Sequence, residues 1–523
     1  MRRPRRTGRG VGRPGAARAG RGGRAKRAGH AGRVGRPRPL APLAALRTVL
    51  AVLVVLVVLA VLATVGGCTA GDGGSGGGAD DGAFTSDGDP NAIVIASGRD
   101  ITGRGGVRQQ LVDAWNERSR RSGSPLRARL VELPGTADQQ RSQLLGALQS
   151  GSSHYDVVNL DVTWVPEFAD GHLVRELDDA LLDSDVLPSV AATGRWRGST
   201  YAVPFNSDVG LLYYRPDYLR AAGVNVPGLG PEPTTWVGFR NLKQAVLRAH
   251  GRGELPAAYA MPWTTQLSSY EGLTVNGIEA FATVGASGGD APLVDDEGRY
   301  VGTEEQLRLG LGEFTRRIDR AYTLDSAQES DEARLLADFA AGKTAFLRHW
   351  PYAYGVLHQD LRDGRLGLAA LPGKAVLGGQ NLAVTRHAPA QNLDAIEDLL
   401  RFLTGRNSER CLLEAGFAAT RASAYEEGGA RCPRGPARSA TSSPTGEDAD
   451  PMPRTEDGRP RSYAVVRKAL HSAVLRPRTP LYGAFTQVFA DHLSQLTGDD
   501  PDAPEKVARD LHRALRRALP ADR

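Results

Sequence analysis

Apolar residues recur along this chain in two alternating rhythms. Short continuous runs, Ala92-Ile93-Val94-Ile95-Ala96 and Val157-Val158-Asn159-Leu160, have the length and β-branched content of buried strands. Between such runs, apolar positions step by three or four, as on one face of a helix. Val107, Leu111, Ala114 and Trp115 form one face, and Ile396, Leu399, Leu400 and Leu403 another. Leu307, Leu311, Phe314, Ile318 and Ala321 step by 4, 3, 4 and 3 and predict a third. Val507, Leu511 and Leu515 mark a terminal amphipathic helix. Tyr213-Tyr214 lies inside an apolar strand and reads as core, and Trp236 reads as the packing residue that starts a helix. The alternation over residues 91–425 predicts an α/β fold with largely parallel sheets. About 400 ordered residues exceed one hydrophobic core, so two lobes are expected.

Two stretches break the rhythm. Residues 68–90, rich in Gly, Asp and Ser, predict a flexible tether. Residues 426–462 hold many Gly, Pro, Ser and Arg and almost no large apolar side chains, which predicts an exposed, disordered insertion. Order resumes at Tyr463.

Ahead of the tether, the first 47 residues carry 15 Lys or Arg and no acid, followed by a 17-residue apolar run, Val49 to Val65. A basic segment, an apolar core and small residues before Cys68 make an export signal over residues 1–67. Val65-Gly66-Gly67-Cys68 resembles the lipobox of bacterial lipoproteins, which implies lipidation at Cys68. An uncleaved single-pass anchor is the alternative; both place Cys68 onward outside the cell.

The leader changes the charge picture. The whole chain has 65 basic and 59 acidic residues; without the leader's 15 basic residues, 50 face 59, a net of −9. The exported part is acidic, so nucleic-acid binding loses its electrostatic basis. With Cys68 lipidated, Cys411 and Cys432 remain as a pair; an oxidising exterior permits a disulfide, two separate thiols being the alternative.

Enzyme motifs fail on context. Gly285-Ala286-Ser287-Gly288-Gly289 fits GxSxG, but turn chemistry follows it where a helix is required. Gly342-Lys343-Thr344 lacks the earlier glycine of a phosphate-binding loop and follows a helical pattern, so a helix end and a turn are expected. The ten His are scattered and no HExxH or CxxC occurs, so no metal or cofactor is expected.

Several motifs, in order, resemble the extracellular solute-binding proteins of ABC importers, in the carbohydrate-binding branch that includes maltose and trehalose binders. They are Tyr155-Asp156-Val157-Val158 with Asp161, Trp164 and Glu167-Phe168-Ala169; Tyr201 to Arg215; Pro233-Thr234-Thr235-Trp236; and Tyr270-Glu271-Gly272-Leu273. Further on come Phe339 to Phe346 with Trp350-Pro351, Gly378-Gly379, Gly416 with Thr420-Arg421, and Arg476-Pro477 with Tyr482. The 426–462 insertion departs from the pattern, and the usual Gln is displaced in Trp263-Thr264-Thr265-Gln266. The resemblance implies a two-lobed type II periplasmic-binding-protein fold with a hinge. Lobe 1 would comprise 91–205 with about 377–424, and lobe 2 would comprise 206–376 with about 463–523. Crossings are implied near Val203–Asp208, near Leu371–Gly379 and in 425–465.

It also implies a function: a monomeric, membrane-anchored binding protein that closes on a di- or oligosaccharide and delivers it to a membrane permease, without catalysis. A sugar needs hydrogen-bonding groups at its rim and flat apolar surfaces against its faces. The matched motifs supply Asp161, Asp208 and Glu271 as acceptors, Trp263, Tyr270 and Trp350 as stacking rings, and Arg421 as a forked donor. Asp208, after Asn206-Ser207, also has the setting of a turn cap. The competing readings are an anchored glycan hydrolase, which needs two facing carboxylates, and a receptor-like subunit that signals.

Overall fold

The structure, a computed structural model, describes residues 89–99, 106–151, 155–224, 235–284, 292–361, 364–426, 432, 462–498 and 500–520. The leader, Cys68, the tether to residue 88, the Gly285–Gly289 motif and nearly all of the 426–462 insertion lie outside these residues. Among the described residues no helix is long and apolar enough to cross a membrane.

Eleven strands are described: β1 (Ala92–Gly98), β2 (Arg127–Leu133), β3 (Val157–Asp161), β4 (Arg195–Trp196), β5 (Ser199–Thr200), β6 (Val203–Val209), β7 (Leu211–Tyr214), β8 (Met261–Thr264), β9 (Thr344–His349), β10 (Gly367–Ala370) and β11 (Leu377–Val384). They form a five-stranded sheet, β2-β1-β3-β11-β6, a four-stranded sheet, β10-β7-β9-β8, and a small β4-β5 ribbon. β1 runs parallel to β2 and β3, whereas β11 is antiparallel to both β3 and β6. The sheets are therefore mixed rather than largely parallel. The cause is connectivity: β11 returns from the second sheet and enters the first from its far end, so it must run against β3.

The chain passes directly from one sheet to the other twice. β6 stays in the first sheet through Val209, past the expected boundary at 205, and Gly210 alone separates it from β7. A Cβ on Gly210 would lie 2.3 Å from Glu279 Oε1 and 2.8 Å from Arg348 Nη2, so the crossing runs against a buried ion pair that only glycine accommodates. The return passes through residues 371–376 between β10 and β11. There Val474 N donates to the Ala375 carbonyl and Leu377 N to the Val474 carbonyl. The third expected crossing, in 425–465, lies almost wholly outside the described residues.

The predicted helical faces point inward. In the helix Val107–Arg121, Val107, Leu111 and Trp115 are buried against the first sheet, together with Ile396, Leu399, Leu400 and Leu403 of the helix Leu393–Leu403. Leu307, Leu311 and Phe314 line the helix Glu304–Arg317, capped by Thr303, and pack with Val507, Leu511 and Leu515 of the helix Pro504–Ala518. Ala321 lies beyond that helix in an exposed turn, because the helix ends before it. Tyr213 and Tyr214 are buried in the second sheet, and Trp236 opens the helix Trp236–Gly251 behind its Thr235 cap. Gly342-Lys343-Thr344 is a helix end, a left-handed glycine and the start of β9.

Cys411, in the helix Arg406–Glu414, and Cys432, 21 positions further on, are joined in a disulfide with Cα atoms 5.4 Å apart. Closing a loop of this length removes unfolded-chain entropy worth about 3 kcal/mol. Reduction, or Cys432→Ser, is thus expected to lower stability by about that amount; thermal unfolding with and without reductant measures it, and coincident melts would contradict it.

The same helix buries Glu409. One carboxylate oxygen accepts from Thr420 N at 2.6 Å; the other has no partner among the described residues. Burial pushes this carboxyl up to about 8 from 4.5, against the pull of the Thr420 hydrogen bonds. A raised carboxyl contributes its full stability below the unfolded value and loses it as pH rises through the folded one. Glu409→Gln is expected to raise the melting temperature at pH 9 relative to wild type and leave it unchanged at pH 4. Equal offsets at both pH values would refute the burial argument.

Candidate functional site

The carboxyl ends of β1 and β3 meet the crossing strands in a crevice between the two sheets. Its floor is a polar row: Asp161 at the end of β3 pairs with Gln380 on β11, which pairs with Asn206 on β6. Arg108 binds this row together. Its Nη2 donates to Asn206 Oδ1 at 2.9 Å and Gln380 Oε1 at 2.6 Å, and its Nη1 to Ser97 Oγ and the Gly98 carbonyl. Asn159 Nδ2 donates to Ser97 Oγ at 2.9 Å and Gln380 Oε1 at 3.0 Å. Buried groups of this kind fix one arrangement, since each lost bond leaves a desolvated partner behind.

Arg476 bridges the crevice. Its Nη2 donates to Asp161 Oδ1 at 2.8 Å and its Nη1 to Glu271 Oε1 at 2.6 Å, with the side chain only 2% exposed. Asp161 Oδ1 is held further by Thr163 N and Oγ1, and Glu271 by the Tyr482 and Thr486 hydroxyls. One guanidinium therefore ties the end of β3 to the first turn of the helix Glu271–Val284. Burial raises the Glu271 carboxyl while Arg476 opposes the rise. Nearby, Arg141 pairs with Glu167 and lies so close to Gly483 that no Cβ would fit there.

The aromatic wall follows β9. Trp350 has the Arg348 guanidinium 3.9 Å from its ring centre on one face, and its Nε1 donates to Glu332 Oε1 at 3.5 Å. Arg348 is itself paired with Glu279 at 2.7 Å, both almost completely buried. Tyr270, preceding Glu271, also neighbours Glu332. Asp208 lies across from Gly378, against which the edge of the Trp350 ring also packs. It is a strand residue of β6, not a turn cap, and its Oδ1 is inaccessible and without a hydrogen-bond partner among the described residues. Burial pushes its carboxyl up to about 7; Arg108 opposes this, Asp161 adds to it, and Arg348 and Arg476 oppose it.

The crevice thus gathers Asp161, Asp208, Tyr270, Glu271 and Trp350, and leaves out the two other proposed contacts. Trp263 on β8 is 1% exposed, edge to face with Phe239 at 5.1 Å and Trp236 at 6.4 Å, so it offers no free ring face. Arg421 directs Nη1 to Asp183 at 2.7 Å and Nε to the Thr404 carbonyl at 2.6 Å, which makes it a brace for the 183–185 turn. Both were placed by motif order, which does not say which way a side chain points. Sequence reasoning missed Arg108 and Arg476 as site residues. Arg108 falls on the buried face with Leu111 and Trp115, a cation where an apolar residue belongs; Arg476-Pro477 was already part of the ordered motif set.

A second groove of about 570 Å³ lies between the helices Trp236–Gly251 and Glu304–Arg317 and is lined by Arg240, Arg308, Arg316 and Arg320. Arg308 and Arg316 pair within their own helix with Glu305 and Glu313. The crevice, with its buried unpartnered acceptor and aromatic wall, has the makings of a binding site that this groove lacks.

Comparison with known proteins bears on what such a crevice belongs to. The family model described as bacterial extracellular solute-binding protein matches residues 129–433, more than half of the chain. A probable ABC transporter-binding protein of Deinococcus radiodurans is 29% identical over 359 residues, spanning 66% of this chain and 80% of that one. The sn-glycerol-3-phosphate-binding periplasmic protein UgpB of Salmonella typhimurium is 27% identical over 258 residues, 47% of this chain and 55% of its own length. Among solved structures, maltose-bound MalE3 of T. maritima superposes with a TM-score of 0.64 at 21% identity, covering 82% of this chain and all of that one, a likeness of fold. The fold is two-lobed α/β, and this chain belongs to the bacterial extracellular solute-binding proteins.

Proposed function

We propose that the chain is the substrate-binding protein of an ABC importer, capturing a carbohydrate in the crevice between its lobes and presenting it to a membrane permease. The observation that carries this reading is the crevice itself: Trp350, backed by Arg348, and Asp208, whose Oδ1 has no hydrogen-bond partner among the described residues, both lie against Gly378, while Arg476 joins Asp161 to Glu271. A flat ring beside buried hydrogen-bond acceptors matches a sugar, which is apolar on its faces and hydroxylated at its rim. Lobe 1 is read as 91–209 with 377–424, lobe 2 as 211–376 with 463–520. Gly210 and residues 371–376 serve as hinge segments, where a few backbone torsions absorb closure. Asp161, Asp208, Tyr270, Glu271 and Trp350 are the proposed ligand contacts. The protein acts as a monomer outside the membrane, held by a lipid on Cys68.

Capture rather than hydrolysis is favoured by Arg476. A glycosidase needs two carboxyl groups free to act as acid and as base or nucleophile. Here Asp161 and Glu271 share one guanidinium instead.

The test is thermal unfolding against a panel of di- and oligosaccharides, with product analysis of the same mixtures. A ligand present at 100 times its Kd adds about 2.7 kcal/mol of stability, so a bound sugar raises the melting temperature and is recovered intact. A shift only with non-carbohydrate solutes removes the sugar assignment, and hydrolysed product removes the transport reading. Labelling with radioactive palmitate, compared with a Cys68→Ala variant, checks the anchor.

A further inference from the structure

A short segment of lobe 2, residues 476–483, reaches lobe 1 through Arg476, Arg478 and Gly483. Both of its ends are fixed in lobe 2. Just before it, Val474 is hydrogen-bonded to Ala375 and Leu377 at the return crossing; at its far end Tyr482 is buried in the core with Leu273 and Phe489. Pro477 and Pro480 stiffen what lies between. Arg476 Nη2 donates to Asp161 at the end of β3 at 2.8 Å. Arg478 Nη2 donates to the Arg195 carbonyl in β4. Gly483 lies against the Arg141 guanidinium of the helix Ala137–Gln149, where an added Cβ would collide with it. Arg141 does not swing clear at no cost, because Glu167 holds it by two hydrogen bonds at 2.5 Å and 2.6 Å. A larger residue at 483 would therefore wedge the lobes apart.

The two carboxylates on Arg476 fare differently when the lobes part. Glu271 opens the helix Glu271–Val284, which Glu279 ties to Arg348 of β9, so Glu271 and Arg476 move as one body. Their pair stays intact on opening. Asp161 is the partner let go; it then faces water, while Arg476 keeps one carboxylate. Parting the lobes strands no buried charge, which distinguishes a reversible fastening from a permanent one. Both Nη atoms of Arg476 are spent on these carboxylates, so its effect on a solute runs through the placement of Asp161.

We propose that residues 476–483 form an interlobe latch, with Arg476 and Gly483 as positioning residues for solute binding. The protein's own groups hold the lobes closed, and a bound solute leaves at the rate at which the Asp161–Arg476 bond opens. The effect on dissociation rests on the reading that the crevice is the solute site; the closure itself does not.

Spin labels on the helices Val107–Arg121 and Trp236–Gly251 of the full chain in detergent report the interlobe distance by double electron–electron resonance. Stopped-flow dilution reports the dissociation of maltose. Expected without added sugar is a short distance in wild type and a longer, broader distribution in Arg476→Lys and in Gly483→Leu. Arg476→Lys keeps a charge for Glu271 but lacks the planar fork that spans both carboxylates. Arg141→Ala in the Gly483→Leu background is expected to restore the short distance by clearing the clash, a rescue that a folding defect would not show. Maltose is expected to leave both single variants at least about tenfold faster. Equal distances in wild type and both variants overturn the latch, as does a wild type that stays open until maltose is added. Shifted distances with unchanged dissociation overturn its role in binding. If Gly483→Leu does not fold, Arg476→Lys decides. Distances that shift as expected in a protein that binds no maltose leave the latch in place and count against the sugar reading alone.

Discussion

Replacing Arg348 with methionine is expected to lower the unfolding free energy by about 3–5 kcal/mol. The side chains of Arg348 and Glu279 are 1% and 3% exposed, and the guanidinium meets the carboxylate at 2.7 Å and 3.3 Å. Glu279 Oε1 also accepts from Val376 N at 3.1 Å, which ties the returning segment to the same group. Removing Arg348 strands a carboxylate with one backbone donor in a site closed to water, and Gly210 allows the surrounding strands no room to relax away from it. The double replacement Arg348→Met with Glu279→Leu is expected to recover most of the loss, because the pair stabilises little beyond its own desolvation cost. A denaturant series on wild type, both single variants and the double variant gives the coupling directly. A single-variant loss below about 1 kcal/mol would show that water reaches the pair and that its burial matters little.

Trp350→Ala is expected to weaken binding of the cognate sugar by roughly 100-fold, or about 2–3 kcal/mol. Arg348 fixes the ring on one face at 3.9 Å, Glu332 holds its nitrogen, and its far edge packs at Gly378 beside Asp208, so the ring is held in one orientation. A ring held in place gives up little entropy when a sugar packs on it. Trp350→Phe keeps a flat face and is expected to lose no more than about tenfold. That contrast separates stacking from a folding defect, as does the melting temperature of each unliganded variant. An alanine variant that binds within threefold of wild type would remove Trp350 from the site.

Much of this fold could be read from the chain, for reasons visible in particular residues. Leu307, Leu311 and Phe314 on one face of a helix, and Val157 to Leu160 in a strand, are local patterns whose period follows from backbone geometry. Proximity was legible where motif order put a polar residue at a strand end, as with Asp161, which the structure ties to Glu271 through Arg476. It was not legible where orientation decided the matter. Trp263 and Trp350 are the same residue type in similar motifs, yet one is sealed behind Phe239 and the other fronts the crevice. Arg421 and Arg476 both follow short matched motifs, yet one braces Asp183 and the other spans Asp161 and Glu271. The antiparallel course of β11 was equally hidden, since strand direction depends on where the chain returns from rather than on its composition.

The sequence by itself determined the elements, the core faces and the acidic balance behind the basic N-terminal stretch. Each of these rests on local periodicity, charge or ordered motifs, which survive without knowledge of distant neighbours. Only the tertiary structure decided which guanidinium meets which carboxylate, because Arg476 lies 315 positions from Asp161 and Arg108 lies 272 from Gln380. It also decided that Oδ1 of Asp208 and of Asn159 find no donor among the described residues. Hydrogen bonding is directional and short-ranged, so no spacing along the chain encodes which groups close on each other and which remain open to a solute.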